Sequence, residues 1–302
     1  MKRYVLYSIL LIGLLLFSVS CSNNSPTMPN NSSDSDSSSS SLHPYLAINK
    51  DGSVYCINDM IRVIDIPYYV NGIKVSSIAT SGFEDCTKLE KITIPNCVTS
   101  IGKNAFKNCT SLSEVKLEKG ITSIGYAAFS KCSSLTNLTL PDSVTTIGEY
   151  AFNHCGSLEN IIIPNSVTTI GEYAFYYCSN LKQISISENI KTIENNTFGF
   201  CNSLTSVIIP TGVKHIGYCA FVNCANLSYV KIPNSVTSIG VRAFAQCLDI
   251  TEIVIPCSVT TIGERALAVL HLESIYIDAY KNSISGAPWG ASDATVYWKG
   301  EY

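Results

Sequence analysis

Ile163 to Leu181 reads IPNSVTTIGEYAFYYCSNL, and the same sentence, with substitutions only at certain places, returns every 23 residues. Its anchor is Phe175, one of a column that begins at Phe83 and runs Phe106, Phe129, Phe152, Phe175, Phe198, Phe221, Phe244 and finally Leu267. A Cys follows each Phe by three residues, at Cys86, Cys109, Cys132, Cys155, Cys178, Cys201, Cys224 and Cys247. A fixed period of this length belongs to a stacked-repeat fold, in which no single unit buries its own apolar face.

Working outward from the anchor, the unit opens with Leu-x-x-Leu-x-Leu, as at Leu135, Leu138 and Leu140. Alternate residues of such a segment point into a common core, which predicts a short strand pairing with the next coil. Proline ends that segment at Pro95, Pro141, Pro164, Pro210, Pro233 and Pro256, where its missing N–H terminates the ladder; Glu118 and Ser187 replace it in two units. An Ile-Gly pair follows, from Ile101-Gly102 to Ile262-Gly263, and suggests a bend at a positive-φ glycine. Ala-Phe-x-x-Cys then has helical spacing over less than two turns, which predicts one short helical or 3₁₀ turn per coil. The expectation is a leucine-rich-repeat solenoid of about nine coils with parallel strands, on the order of 40 Å long at the spacing of paired strands.

With the strand segment, the Ile-Gly bend and the Ala-Phe-x-x-Cys run together, the chain from about residue 60 to 280 resembles the BspA-type leucine-rich repeats of bacterial surface lipoproteins and some protozoan surface proteins. That resemblance implies an extracellular solenoid associated with adhesion to host proteins and to other microbes. One departure stands out: the position three residues after the strand holds Cys97, Gly120, Ser143, Ser166, Asn189, Gly212, Ser235 and Ser258, so a continuous Asn ladder is absent.

The flanks divide the rest. Residues 1–20 read as an export signal, with Lys2 and Arg3 ahead of an apolar run from Val5 to Phe17 that is too short to span a bilayer, and a small-x-small site before Cys21. Cys21 resembles the lipidated cysteine of a bacterial lipobox, although Ser18 stands where Leu is usual and Val19 is larger than the common residue. The resemblance implies a lipid anchor; cleavage by an ordinary signal peptidase would leave a secreted form. Ser22 in place of Asp after the cysteine points toward the outer membrane or cell surface. Residues 21–42, rich in Ser and Asn, read as a disordered tether. Residues 43–80 read as an N-terminal cap with a hairpin at Asp51-Gly52, 81–278 as the repeat array, and 279–302 as a C-terminal cap carrying Trp289 and Trp298.

Charge and chemistry exclude several classes. Twenty Lys and Arg against 23 Asp and Glu leave a net charge of -3 with no basic run after Arg3, so a nucleic-acid partner is not expected. Neighbouring column cysteines are related by translation, about 4.7 Å apart and parallel, whereas a disulfide needs converging Cβ atoms roughly 3.8 Å apart. They read as buried free thiols. No Cys-x-x-Cys occurs, the four His occupy unrelated columns, and nothing assembles a nucleophile, base and acid, so no metal, no cofactor and no enzymatic activity are expected. Glu149 and Glu172 on adjacent coils are the nearest approach to the paired carboxylates of a carbohydrate-active enzyme.

Recognition is then sought where the repeat varies. Beside Ala-Phe the central coils collect Tyr150, Tyr173, Tyr176, Tyr177, Phe200 and Tyr218, which fit either a contact patch or simple packing along the turn surface. The outward strand position runs Thr93, Lys116, Thr139, Ile162, Ser185, Ile208, Lys231, Val254, Tyr276, where Ile162, Ile208 and Val254 fit either partner contact or plain β-propensity. The function expected is an exported, membrane-anchored, monomeric surface protein that binds an extracellular protein or glycan. A structural or self-assembling envelope component is the alternative.

Overall fold

The computed structural model describes residues 43–280 and 283–301. The signal segment, Cys21 and the tether lie outside the described residues. Contacts divide the chain into Met1–Ser39 and Ser40–Tyr302, and only the second unit is described below.

It is a parallel β-solenoid with two ladders. The longer one consists of eleven short strands, from Val63–Asp65 and Lys91–Ile94 through Ser274–Ile277 and Thr295–Trp298, hydrogen-bonded in runs of six, two and three. Most rungs are offset by one 23-residue repeat, so that Leu138 pairs with Ile161 and Ile161 with Ile184. The ladder therefore exceeds the nine coils counted from the Phe column. The two additional rungs, Val63–Asp65 and Thr295–Trp298, come from flanks that carry no Phe marker, because a strand needs only the register of its neighbour to extend the stack. A deletion of one residue before Ser274 shortens the last internal offset to 22, with Glu252 opposite Ser274.

The second ladder holds two-residue strands such as Ser123–Ile124, Thr146–Ile147 and Thr169–Ile170, stacked in register. At its start an antiparallel hairpin, Leu46–Ile48 with Ser53–Cys56, turns at Gly52 and adds its second strand in parallel to Ser77–Ile78. A second hairpin turns through Asn71 and Gly72, both at positive φ, as a two-residue turn between twisted strands requires.

Between the ladders, Ala-Phe-x-x-Cys forms no helix, contrary to the helical or 3₁₀ expectation. Backbone N–H groups there alternate. Ser81, Phe83 and Asp85 donate to Lys103, Ala105 and Lys107 of the next coil, while Gly82, Glu84 and Cys86 donate three residues back within their own coil. A helix would direct every N–H along one segment; here half of them join coils. The alternation puts the residues two before and two after each Phe at positive φ, as with Asn104 and Asn108 around Phe106.

The Ile-Gly glycines also differ from expectation, since none of Gly102, Gly125, Gly148, Gly171, Gly217, Gly240 or Gly263 is at positive φ. Their role is close approach. A Cβ on Gly171 would stand 2.7 Å from the Glu149 Cα of the preceding coil, and one on Gly125 would stand 2.7 Å from the Ile101 carbonyl oxygen.

The core is a file of aromatic rings. Phe83 to Phe244 are buried and stack on one another at centroid separations from 5.1 to 5.6 Å. Each such pair contributes roughly 0.5–1.5 kcal/mol beyond its area burial. The column thiols take a specific partner: Cys109 Sγ donates to the Phe83 carbonyl at 3.0 Å and Cys155 Sγ to that of Phe129 at 3.2 Å, always one coil back. Among the described residues every cysteine is a free thiol. Trp289 and Trp298 are buried at the C-terminal end, with Trp289 Nε1 donating to the Ser285 carbonyl.

Candidate functional site

The alternating turn decides where a varied side chain can reach solvent. The positions two before and two after each Phe have side chains off the core, and in the central coils aromatic residues occupy most of them. Tyr126, Tyr150 and Tyr173 form one run, with centroids 5.5 Å apart for the first pair and 4.7 Å, nearly parallel, for the second. His154, Tyr177 and Phe200 form another, stacked at 4.7 and 4.4 Å. Tyr176 bridges them, edge-on to Tyr173 at 5.2 Å, to Tyr177 at 4.8 Å and to Phe200 at 5.3 Å. Seven rings thus make one continuous strip.

Five of the seven, Tyr150, His154, Tyr173, Tyr177 and Phe200, sit at φ between 57° and 61°. Elsewhere these places hold Asn104, Asn108, Asn196 and Asn223, a residue that tolerates the left-handed region, and also Ser81, Asp85, Ala127, Lys131, Cys219, Arg242 and Gln246. A bulky side chain there costs roughly 1–2 kcal/mol. Backbone conformation alone therefore disfavours the aromatic choice at these positions, and ring stacking offsets part of that cost.

The strip has a polar rim. Asn195 Nδ2 donates to Glu172 Oε1 at 2.9 Å, and Asn195 Oδ1 accepts the Tyr218 backbone N–H at 2.8 Å. Tyr218 is 46% exposed and joins the strip through this rim, outside the ring-to-ring contacts. Glu149 is exposed beside it. At the N-terminal end Lys103 Nζ lies 5.0 Å from the Tyr126 ring centroid. Burial, and then neighbouring tyrosines, raise the pKa of Tyr150 and Tyr176. Burial, followed by the charge of Lys131, lowers that of His154. Both directions favour neutral groups, so the strip is apolar with hydroxyls at its surface.

The structure brings Tyr150, Tyr173, Tyr176, Tyr177 and Phe200 together. It leaves Ile162, Ile208 and Val254 apart. They share one outward column, but Ser185 lies beside Ile162 and Lys231 beside Ile208, so the apolar residues stand two rungs apart, about 10 Å. Ile162 is 70% exposed and borders a shallow groove of about 320 Å³ with Thr139, Leu140 and Pro164. Sequence reasoning missed Tyr126 and His154 as members of the strip.

Nothing in this arrangement supplies a reactive constellation. Glu172 is held by Asn195, and His215 and His271 are bonded elsewhere, to Ser238 Oγ and the Leu248 carbonyl. Among the described residues no group of three or more His, Cys, Asp or Glu could hold a metal ion.

The sequence matches the family model for a BspA type leucine rich repeat region, in six copies, over residues 76–202 and 168–288. Among solved structures the chain is similar to a leucine-rich repeat protein from Bacteroides ovatus ATCC 8483, with 31% identity over 85% of this chain and 70% of that one and a TM-score of 0.74. It is similar to the T. pallidum leucine rich repeat protein at 28% identity, covering 72% of this chain and 91% of that one, TM-score 0.51. A leucine-rich repeat protein from Eubacterium ventriosum ATCC 27560, at 24% identity over 85% and 77% of the two chains and a TM-score of 0.53, shares the fold. No curated protein matches the chain.

Proposed function

The chain belongs to the BspA-type leucine-rich repeat family, and from that premise we propose that it is an exported surface protein whose aromatic strip binds a polypeptide partner. The observation that carries this reading is the strip itself: five aromatic residues hold left-handed backbone positions and stack into one surface across successive coils. Aromatic side chains of this kind are enriched in the centres of protein interfaces.

A polypeptide suits the strip better than a glycan. A sugar stacks on an open ring face, whereas here the faces of Tyr150, Tyr173, Tyr177 and Phe200 are turned toward one another, and Lys103 lies over Tyr126. What the strip offers outward is ring edges and hydroxyls beside the carboxylates of Glu149 and Glu172. That combination fits a partner segment with apolar side chains and a basic residue.

In this reading Cys21 carries a lipid, residues 22–42 set the solenoid off from the membrane, and the protein acts as a monomer. The experiment is binding of residues 43–302 to immobilised surface proteins and, in parallel, to a glycan array. Binding to a protein that falls at least tenfold on Tyr173→Ala with Tyr177→Ala, with the cooperative fold retained, supports the reading. Retention by glycans alone, or equal binding by the double variant, sinks it.

A further inference from the structure

The first coil departs from the thiol pattern of all the others. Along the array each column cysteine donates its S–H to the carbonyl of the Phe one coil back, as Cys132 does to Phe106 and Cys178 to Phe152. Cys86 has no such Phe behind it. The place is taken by Cys56, whose N–H donates to the Gly82 carbonyl at 2.7 Å just as Phe83 N–H donates to Ala105. Cys56 is thus the backbone counterpart of a core Phe, at the end of the hairpin strand Ser53–Cys56. Since each column Sγ lies against the Phe-place residue one coil back, Cys86 faces Cys56, and the two thiols shift one another's acidity in opposite directions.

We propose that Cys56 and Cys86 are an oxidisable pair that forms a disulfide, fastening the N-terminal hairpin to the first Phe-centred coil. The translational argument against disulfides in the Cys column does not apply to them. They occupy non-equivalent positions of successive coils, one in the Phe place and one in the Cys place, so they are not translational copies of one another. Access differs too: Cys86 is buried, whereas Cys56 is half-buried at the rim, where its Sγ also reaches the Asn58 carbonyl at 3.1 Å.

The chemistry balances with a small disulfide, R–S–S–R, as oxidant. The Cys56 thiolate attacks one sulfur, the R–S–S–R bond breaks, and the leaving thiolate takes a proton to become the first RSH. Cys86 then attacks Cys56 Sγ, the mixed disulfide breaks, and the second RS⁻ leaves with the proton of Cys86. Two protein thiols lose two electrons and two protons, and the small disulfide gains both. The order of attack follows the acidities. The Cys86 thiol brings the Cys56 thiol down to about 7 against the opposing effects of burial and Asp59, while Cys56 and burial push Cys86 up.

The test uses residues 43–302 purified under reducing conditions, incubated with oxidised glutathione at pH 8, quenched in acid, alkylated in denaturant and mapped by peptide mass. The expected result is a linked peptide pair containing Cys56 and Cys86, lighter by two hydrogens than the sum of its thiol forms, with a higher unfolding midpoint than the reduced chain. Cys56→Ser, a change at a half-buried site, should leave the fold intact and abolish the linked pair. Stable glutathionylation of Cys56 without ring closure, a link from either cysteine to a different partner, or full alkylation of both after incubation would each overturn the proposal.

Discussion

The ring of Tyr176 lies against Gly199: a Cβ added at Gly199 would stand 2.9 Å from both Cδ2 and Cε2 of that ring, and 3.1 Å from Val222 Cγ1. Gly199 occupies the same column as Tyr176, one coil on, and its missing side chain is the space the ring fills. Among the described residues Tyr176 is the ring that touches both halves of the strip. Gly199→Ala should therefore displace Tyr176 and separate the two stacks. Overpacking of this kind costs about 1–3 kcal/mol, visible as a lower urea midpoint, with partner binding lost although every aromatic residue is still present. A stability and near-ultraviolet dichroism identical to the parent would show that Gly199 does not seat the ring.

Tyr173 and Tyr177 flank Phe175 at φ of 57° and 60°. Replacing each with Asn, found at four of the equivalent places, relieves roughly 1 kcal/mol of left-handed strain and removes ring stacking worth about 1 kcal/mol. The two effects oppose one another, so Tyr173→Asn and Tyr177→Asn should each leave stability within about 1 kcal/mol of the parent. Binding should nonetheless fall sharply. A large loss of stability would mean that these rings are structural, and the functional argument from strain would fail.

The period made the strands, the Phe file and the Cys column legible, because each follows from residues at strict 23-residue spacing. His154, Tyr177 and Phe200 were legible on the same ground, since they too are 23 residues apart, yet the histidine went unread because it is chemically unlike its neighbours in that column. Tyr126 was hidden for a different reason. It stands 24 residues before Tyr150 and meets it diagonally between coils, a contact that column reading does not reveal. The alternating turn was also hidden: helical spacing and the observed turn both place Phe inward, and only the direction of the N–H groups separates them. The Cys56 and Cys86 pairing lay deeper still, since it depends on the hairpin taking the place of a coil.

Two glycines separate close approach from backbone conformation. Gly171 is at negative φ with the Glu149 Cα 2.7 Å from where a Cβ would stand, whereas Gly72 is at φ +79 with nothing within 4 Å. Gly171→Ala must push two coils apart, and neither backbone can yield without breaking ladder bonds. It should lose about 2–4 kcal/mol, in the range of severe core substitutions. Gly72→Ala meets only left-handed strain of roughly 1–2 kcal/mol, and Gly72→Asn should recover most of it. Equal urea midpoints for Gly171→Ala and Gly72→Ala would contradict this division.

The thiol column sets an alkaline limit to the fold. Burial pushes Cys109 and Cys155 up to about 12 from an ordinary 9.0, and raises Cys132, Cys178, Cys201 and Cys247 as well. Above pH 9 the unfolded chain releases these protons while the folded chain keeps them, so the unfolded state binds fewer protons and stability falls as pH rises. Each such thiol contributes a slope of about 1.4 kcal/mol per pH unit until its folded pKa is reached. Urea midpoints should be level below pH 8 and drop steeply between pH 9 and 12. Cys155→Ser keeps a donor for the Phe129 carbonyl but removes one titrating group, and should make that drop shallower. Midpoints that stay constant to pH 11 would mean that the column thiols ionise in place, and that the S–H to carbonyl bonds are not what holds the cysteines in the core.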